Sequence, residues 1–178
     1  YAFGIDAGVD TLTSWMRAVS LCAPRIRGGQ ALLIGETDPT LAQSLMLWNS
    51  TLLAQTELQE REQTALPPVF AAACVWGRRD AVKATLERIG ALGGGDMSTI
   101  ETAEGVLPSV LGPVPIPQPR TIDSRELEGT ADRVKAVVRV PQSRRGELAL
   151  RLRSASARHV AAREPGELRF QLDPKERI

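Results

Sequence analysis

Arginines recur in the C-terminal third of this sequence at a spacing that suits the binding of anions. Arg144, Arg151 and Arg158 are seven residues apart, nearly two turns of α-helix, so a helix through this region presents them on one face. Arg145 directly follows the first of them. Such a row can contact successive phosphates or the carboxylates of an acidic peptide, binding them without transforming them. The alternative interpretation is a solvated, arginine-rich surface.

The segment that carries these arginines is predicted to be a helix, with Ser143 as its cap and its end near Arg158. Glu147 precedes Arg151 by four residues, the spacing of an ion pair on a helix surface. Three apolar residues at helical spacing are expected to face a sheet: Leu148, Leu152 and Ala155.

No set of residues in the sequence has the spacing of a catalytic or metal site. His159 is the only histidine and lies at the end of the predicted helix among arginines. Cys22 and Cys74 are isolated, so neither a zinc site nor a disulfide is predicted. The glycines 93–95 follow a predicted helix instead of opening one, which is the wrong order for a phosphate-binding loop. We therefore expect no catalytic residue, metal or cofactor in this chain.

The composition is that of a globular protein whose charge is unevenly distributed. Of 178 residues, 43% are hydrophobic and 24% are charged. Residues 1–117 carry 8 Lys/Arg and 12 Asp/Glu, whereas residues 118–178 carry 14 and 9, so the net charge changes from −4 to +5. No apolar run approaches the roughly 18 residues of a membrane span, and the opening does not read as a signal peptide. We expect a cytoplasmic protein with no membrane partner and with anionic ligands on its basic third.

The elements that position the arginines follow a β-α-β-β-α-β order. A helix at residues 51–64 is expected to end before Pro67 and Pro68. The elements predicted after it are a strand at 69–76, a helix at 80–92, strands at 106–110 and 133–140, the arginine helix, and a strand at 168–172. This order predicts an α+β fold, a split β-α-β sandwich with two helices on one face of an antiparallel sheet. Alternating prolines predict an edge or polyproline-like segment: Pro113, Pro115, Pro117 and Pro119.

Residues 1–50 have a different pattern. The run 30–37, QALLIGET, is predicted to be a buried strand, and Asp38-Pro39 is predicted to begin a helix. This region is interpreted as the tail of a larger α/β lobe, which divides the chain into residues 1–50 and 51–178.

Four landmarks in order give the sequence a resemblance to a known family: ELQERE at 57–62, Pro67-Pro68, LGPVP at 111–115, and Asp173-Pro174. It resembles the C-terminal part of the PriA family of bacterial replication-restart proteins, in its divergent actinobacterial form. The resemblance implies a split β-α-β C-terminal domain preceded by the tail of a helicase-like α/β lobe. It also implies binding to branched or single-stranded DNA at stalled forks, to single-stranded DNA-binding protein and to the machinery that loads the replicative helicase, at the nucleoid.

The resemblance also assigns roles to particular arginines. In the family, an arginine after a serine at the start of the last long helix holds the acidic, Phe-terminated tail of single-stranded DNA-binding protein, and the matching residue is Arg144. Arg25 and Arg27 match arginines of a motif that reaches ATP phosphates, but its glutamine and glycines are missing, which implies lost ATP-driven unwinding. The ATP and zinc of the family are bound by parts of those proteins outside this region.

Two other functional classes remain open from the sequence. One is a split β-α-β RNA-binding interaction module, which usually stacks bases on sheet aromatics, although few aromatics are predicted on this sheet: Phe70, Trp76 and Phe170. The other is a small enzyme, which needs a pocket with converging polar groups.

Overall fold

A computed structural model of the chain describes residues 6–116 and 132–174. It combines α-helices with antiparallel sheets, so the fold is α+β, as the sequence predicts. The described residues form two compact units, one within residues 6–60 and one within Arg61–Pro174. The predicted boundary after residue 50, and the assignment of residues 1–50 to a helicase-like lobe, stay predictions.

The first unit is helical in its described part. Its helices are α1 Ala7–Val19, α2 Pro39–Met46 and α3 Thr51–Gln63. The predicted start of α2 is confirmed, because Asp38 Oδ1 accepts hydrogen bonds from the backbone N–H groups of Thr40 and Leu41 at 2.8 and 3.1 Å.

The segment 30–37 is not the buried strand that its apolar run predicts. It has no strand pairing among the described residues, and Leu32 and Ile34 are each 84% exposed. An apolar run forms a buried strand only where partner strands supply hydrogen bonds and cover its side chains. The described part of this unit has helices and no strand, so the segment forms no regular structure and is mostly exposed.

The second unit is built on a four-stranded antiparallel sheet with the order β4-β5-β1-β6. The strands are β1 Phe70–Arg78, β4 Val110–Pro115, β5 Arg133–Pro141 and β6 Leu168–Leu172. Helix α4 Arg79–Arg88 follows β1, and helix α5 Arg145–Ala161 leads from β5 towards β6. Each helix therefore connects two strands that have a third strand between them, which is the predicted split β-α-β arrangement.

A separate hairpin lies between α4 and β4, formed by β2 Thr99–Thr102 and β3 Gly105–Pro108. The predicted strand at 106–110 is therefore wrong in extent, because it covers β3 and the first residue of β4. The apolar and proline pattern is continuous through Ser109, so it does not reveal the break. There the backbone N–H of Ser109 donates to Ser98 O at 2.9 Å, and its carbonyl accepts from the Arg139 N–H at 2.8 Å. The proline-rich β4 is an edge strand, while Pro117 and Pro119 lie outside the described residues.

The core of this unit lies between the sheet and helices α4 and α5. Its fully buried members include Val75, Val82, Leu86, Val138, Leu148 and Leu152. The prediction that Leu148, Leu152 and Ala155 face the sheet is confirmed. A smaller cluster lies on the opposite side of β1, around Phe70 and Ile100.

Gly77 lies at the other end of β1. A Cβ at this position would lie 1.9 Å from Glu167 O, so only glycine allows the start of β6 to lie this close to β1.

Helix α5 does not begin as predicted. Residues Gln142–Arg144 form a 3₁₀ turn, Arg144 is at the N-cap position, and no side chain caps the helix. The turn follows Pro141, whose extended backbone carries the chain out of β5 before the helix can start. The helix continues past Arg158 to Ala161. With 17 residues α5 is the longest described helix, and none of the described helices is long and apolar enough to cross a membrane.

Candidate anion-binding site

Arg144 lies where the 3₁₀ turn meets α5 and makes four hydrogen bonds with two acidic residues. Its Nε and Nη2 donate to the Glu147 carboxylate at 2.8 and 3.1 Å. Its Nη1 donates to the backbone carbonyl of Asp96 at 2.7 Å, and Nη2 donates to Asp96 Oδ2 at 2.8 Å. The planar guanidinium is thus used in the bidentate way that makes arginine selective for carboxylates and phosphates.

Arg151, two turns further along α5, holds the same two carboxylates. Its Nη1 and Nη2 donate to Asp96 Oδ1 and Oδ2, both at 2.7 Å, and Nη1 also donates to Ile89 O at 2.9 Å. Nη2 donates to Glu147 as well, so the predicted Glu147–Arg151 pair is confirmed. We call Asp96, Arg144, Glu147 and Arg151 the arginine–carboxylate cluster.

Asp96 reaches this cluster because the loop after α4 is tightly folded. The N–H of Met97 donates to Gly90 O at 2.9 Å, which closes the loop on itself. Gly90 has φ +79°, and a Cβ there would lie 2.6 Å from Asp96 Oδ1. Glycine at position 90 therefore allows the Asp96 carboxylate to lie against the start of α5.

The cluster is electrically balanced. Hydrogen bonds from Arg151 and then Arg144 lower the pKa of Asp96, and those from Arg144 lower the pKa of Glu147. In return, Glu147 and then Asp96 raise the pKa of Arg144. All four groups are therefore ionised at neutral pH, with two positive and two negative charges. An anionic ligand of this site has to replace a carboxylate that is already bound.

The other two arginines of the predicted row are placed differently. Arg145 forms an ion pair with Asp173, with Nη2 and Oδ2 2.6 Å apart. Arg158 is exposed and has no ion-pair partner among the described residues. The structure thus brings Arg144 and Arg151 together on Asp96 and leaves Arg158 apart from them.

Arg25 and Arg27 lie in the first unit, in a short 3₁₀ turn, Arg25–Arg27. Both are exposed, and neither forms an ion pair with any residue that the structure describes. Their assignment to a degenerate ATP motif stays a prediction.

His159 is a structural residue at the end of α5. Its side chain is buried, with Nδ1 3.1 Å from Glu164 Oε2 and Nε2 2.9 Å from Gly166 O. Glu164 also pairs with Arg88 of α4, so the three residues join the two helices. Within residues 6–116 and 132–174, no group of three or more His, Cys, Asp or Glu side chains could hold a metal ion.

Sequence reasoning missed Asp96. It is the first residue after three glycines, a position that predicts only the end of a turn. Its role depends on a contact with a helix 48 residues later in the chain, and no local pattern reveals such a contact.

The sequence of this chain is similar to a known domain family and to named proteins. A family model described as the primosomal protein N C-terminal domain matches residues 62–175. The chain is 31% identical over 177 residues to a protein named probable replication restart protein PriA from Mycobacterium leprae, covering 96% of this chain and 24% of that protein. The protein of the same name from Mycobacterium tuberculosis is 30% identical over 174 residues, covering 96% of this chain and 25% of that protein. The chain thus spans about a quarter of the length of these relatives.

Proposed function

Because the chain belongs to the family of the primosomal protein N C-terminal domain, we propose that it works in the restart of DNA replication. In this proposal it binds branched or single-stranded DNA at stalled forks and the C-terminal tail of single-stranded DNA-binding protein. It acts as a scaffold for the machinery that reloads the replicative helicase, in the cytoplasm at the nucleoid. The names of its relatives, which describe replication restart, support this role.

The arginine–carboxylate cluster is the observation that carries the peptide part of the proposal. Arg144 already binds the Glu147 carboxylate in bidentate geometry and makes one further bond to the Asp96 carboxylate, as a receptor for an acidic tail would. Its side chain keeps about a third of its surface exposed, at 30%. A tail carboxylate can therefore approach and take the place of Asp96 or Glu147, while the rest of the cluster stays in position. In this model the terminal carboxylate of the peptide forms the ion pair and the peptide's apolar residues lie beside it.

The DNA part of the proposal rests on the charge of the basic third. Residues 118–178 carry a net charge of +5, and Arg158 and Arg145 extend the positive surface along α5. Arg158 has no described ion-pair partner, so phosphate binding there displaces no described ion pair. Contacts of this kind bind the DNA backbone without reading its sequence, which suits a protein that acts at forks of any sequence.

A peptide titration tests the Arg144 assignment. A labelled acidic peptide ending in Phe is titrated with the wild-type chain, with Arg144→Ala and with Arg153→Ala, and fluorescence anisotropy gives the affinity. We expect Arg144→Ala to weaken binding about tenfold, since a bidentate charged pair is lost. Arg153 is an exposed arginine on the same helix with no described ion-pair partner, so its variant is the matched control. Equal affinity of the wild type and Arg144→Ala would remove the assignment.

A second titration tests the DNA part. Labelled fork DNA, single-stranded DNA and duplex RNA are titrated with the wild-type chain at one fixed salt concentration. We expect fork and single-stranded DNA to bind more tightly than RNA. A preference for duplex RNA would instead favour the RNA-binding module.

A further inference from the structure

The face of the sheet turned away from helices α4 and α5 carries an aromatic residue between two cations. In the register of the sheet, Trp76 on β1 is directly opposite Lys135 on β5 and directly opposite Arg169 on β6. Directly opposed residues of antiparallel strands point to the same face, with Cβ atoms about 5 Å apart. The neighbour of Trp76 in the chain, Val75, is in the core under the helices, so Trp76 and its two partners point the other way.

A fourth strand extends this row at the sheet edge. Val114 on β4 is opposite Lys135 and is 55% exposed. We call Val114, Lys135, Trp76 and Arg169 the Trp76 row. Its order across the four strands is apolar, cationic, aromatic and cationic. Apolar surface in the next row is contributed by Leu111, which is 42% exposed.

Positive charge exceeds negative charge around the ring. The side chain of Arg169 is 68% exposed, and that of Arg78, also on this face of β1, is 48% exposed and lies 3.7 Å from the Asp80 carboxylate. Glu167 pairs with both Arg169 and Arg133, at 2.9 and 2.8 Å, so one carboxylate is shared between two guanidinium groups.

Lys135 has no ion-pair partner among the described residues. Cys74 lies one row further along β1 on the same face. Burial raises the pKa of this thiol, and the positive charge of Lys135 acts in the opposite direction.

We propose that the Trp76 row is a binding platform for single-stranded DNA, with one base stacked on the Trp76 ring and the flanking phosphates on Lys135 and Arg169. Aromatic stacking of bases together with cations that follow the backbone is how sequence-tolerant single-strand binders work. The Trp76 side chain is partly exposed, and a single ring accepts a base only when that base is unpaired. The apolar side chains of Val114 and Leu111 extend the surface for a neighbouring base. This inference rests on the proposed role at DNA forks. It adds that the DNA bound here is single-stranded, and it names the residues that contact it.

Oligo(dT) binding tests the platform. A labelled single strand of dT is titrated with the wild-type chain and with Trp76→Leu, Trp76→Phe, Lys135→Gln and Arg169→Gln. We expect Trp76→Leu to weaken binding about tenfold, the effect of losing one stacked base. Trp76→Phe should keep most of the wild-type affinity. Each glutamine variant should lower the slope of log K against log salt by about 0.7. Arg153→Gln replaces an exposed arginine on the helical side, and it should change neither the affinity nor the salt slope.

A fluorescence measurement tests the platform with Trp76 itself left unchanged. In the double variant Trp15→Phe, Trp48→Phe the remaining tryptophan is Trp76, and stacking of dT should quench its emission with the same affinity as the anisotropy titration. Emission that stays constant through saturation would overturn the platform.

The outcomes separate the platform from the proposed function. If Arg145→Ala and Arg158→Ala weaken fork binding while Trp76→Leu leaves oligo(dT) binding unchanged, the platform is wrong and the role at forks stands. Tighter binding of oligo(rU) than of oligo(dT) would also overturn it, because the platform would then belong to an RNA-binding module.

Discussion

Arg144 and Asp96 lie 48 positions apart in the sequence and are joined by two hydrogen bonds, one to the backbone carbonyl and one to the carboxylate of Asp96. The loop that follows α4 is thereby attached to the start of α5. The aspartate also occupies the guanidinium that the proposed tail of single-stranded DNA-binding protein would use. The Asp96 side chain therefore both attaches the loop to α5 and competes with the peptide for Arg144.

The competition predicts a gain of binding. In Asp96→Asn the side chain keeps its shape and loses its charge, so an acidic peptide competes with a weaker acceptor at Arg144. We expect peptide affinity to rise about fivefold at low salt, the upper range for a surface charge pair, and the gain to shrink as salt screens the charges. Anisotropy titrations at two salt concentrations measure both effects. Glu104→Gln removes an exposed carboxylate that is not part of the cluster and is the control. Unchanged affinity in a folded Asp96→Asn variant would show that Asp96 does not compete with the peptide.

Acid stability depends on Glu164. Hydrogen bonds from Arg88 and then His159 lower the pKa of Glu164 from 4.5 to about 2. A carboxyl group whose pKa is lowered by folding stabilises the protein fully above its unfolded-state pKa, and this contribution is lost as pH falls through the folded-state value. We therefore expect the free energy of unfolding to fall between about pH 4.5 and pH 2, and Glu164→Gln to remove part of this dependence. Urea unfolding followed by circular dichroism across this range measures it. An identical pH dependence in the variant would contradict the prediction.

Local patterns predicted those parts of the fold in which each residue's environment follows from its neighbours in sequence. The start of α2 at Asp38 was predictable because an N-cap needs only the side chain and the next three residues. The inward face of α5 was predictable from the spacing of Leu148 and Leu152. The split β-α-β arrangement then followed from the order of elements along the chain.

The errors come from features that depend on distant partners. The run 30–37 is apolar enough for a strand, but pairing is decided by strands elsewhere, and none is present in the described part of its unit. The break at Ser109 is set by bonds to Ser98 and Arg139. The role of Asp96 in the site was missed for the same reason. The spacing of Arg144 and Arg151 predicted a shared helix face, but it gave no sign that Asp96 would neutralise them.

Arg139 is expected to be a main determinant of stability in the second unit. Its side chain is buried, and its guanidinium donates to Thr64 O after α3 and to Pro108 O at the end of β3. In Arg139→Ala both carbonyls lose the hydrogen bond from the charged guanidinium, and a hydrogen bond to a charged group contributes about 1.5–3 kcal/mol. We expect a loss of about 3 kcal/mol in the free energy of unfolding, measured by urea titration. Arg153→Ala, exposed on α5, should change it by less than about 0.5 kcal/mol. Similar values for the two variants would refute the role of Arg139.

Gly77 is expected to be required for the pairing of β6 with β1. A Cβ at this position would lie 1.9 Å from Glu167 O, and the residue has φ +148°, which L side chains rarely adopt. Gly77→Ala therefore has to push the start of β6 away from β1, and this movement also displaces Arg169 from its place beside Trp76. We expect faster amide hydrogen exchange in β6, lower thermal stability and weaker oligo(dT) binding. Gly146→Ala is the matched control, because its Cβ meets no atom within 4 Å and the helix gains up to about 1 kcal/mol. Normal protection of β6 in Gly77→Ala would show that the close approach of the two strands is not needed for their pairing.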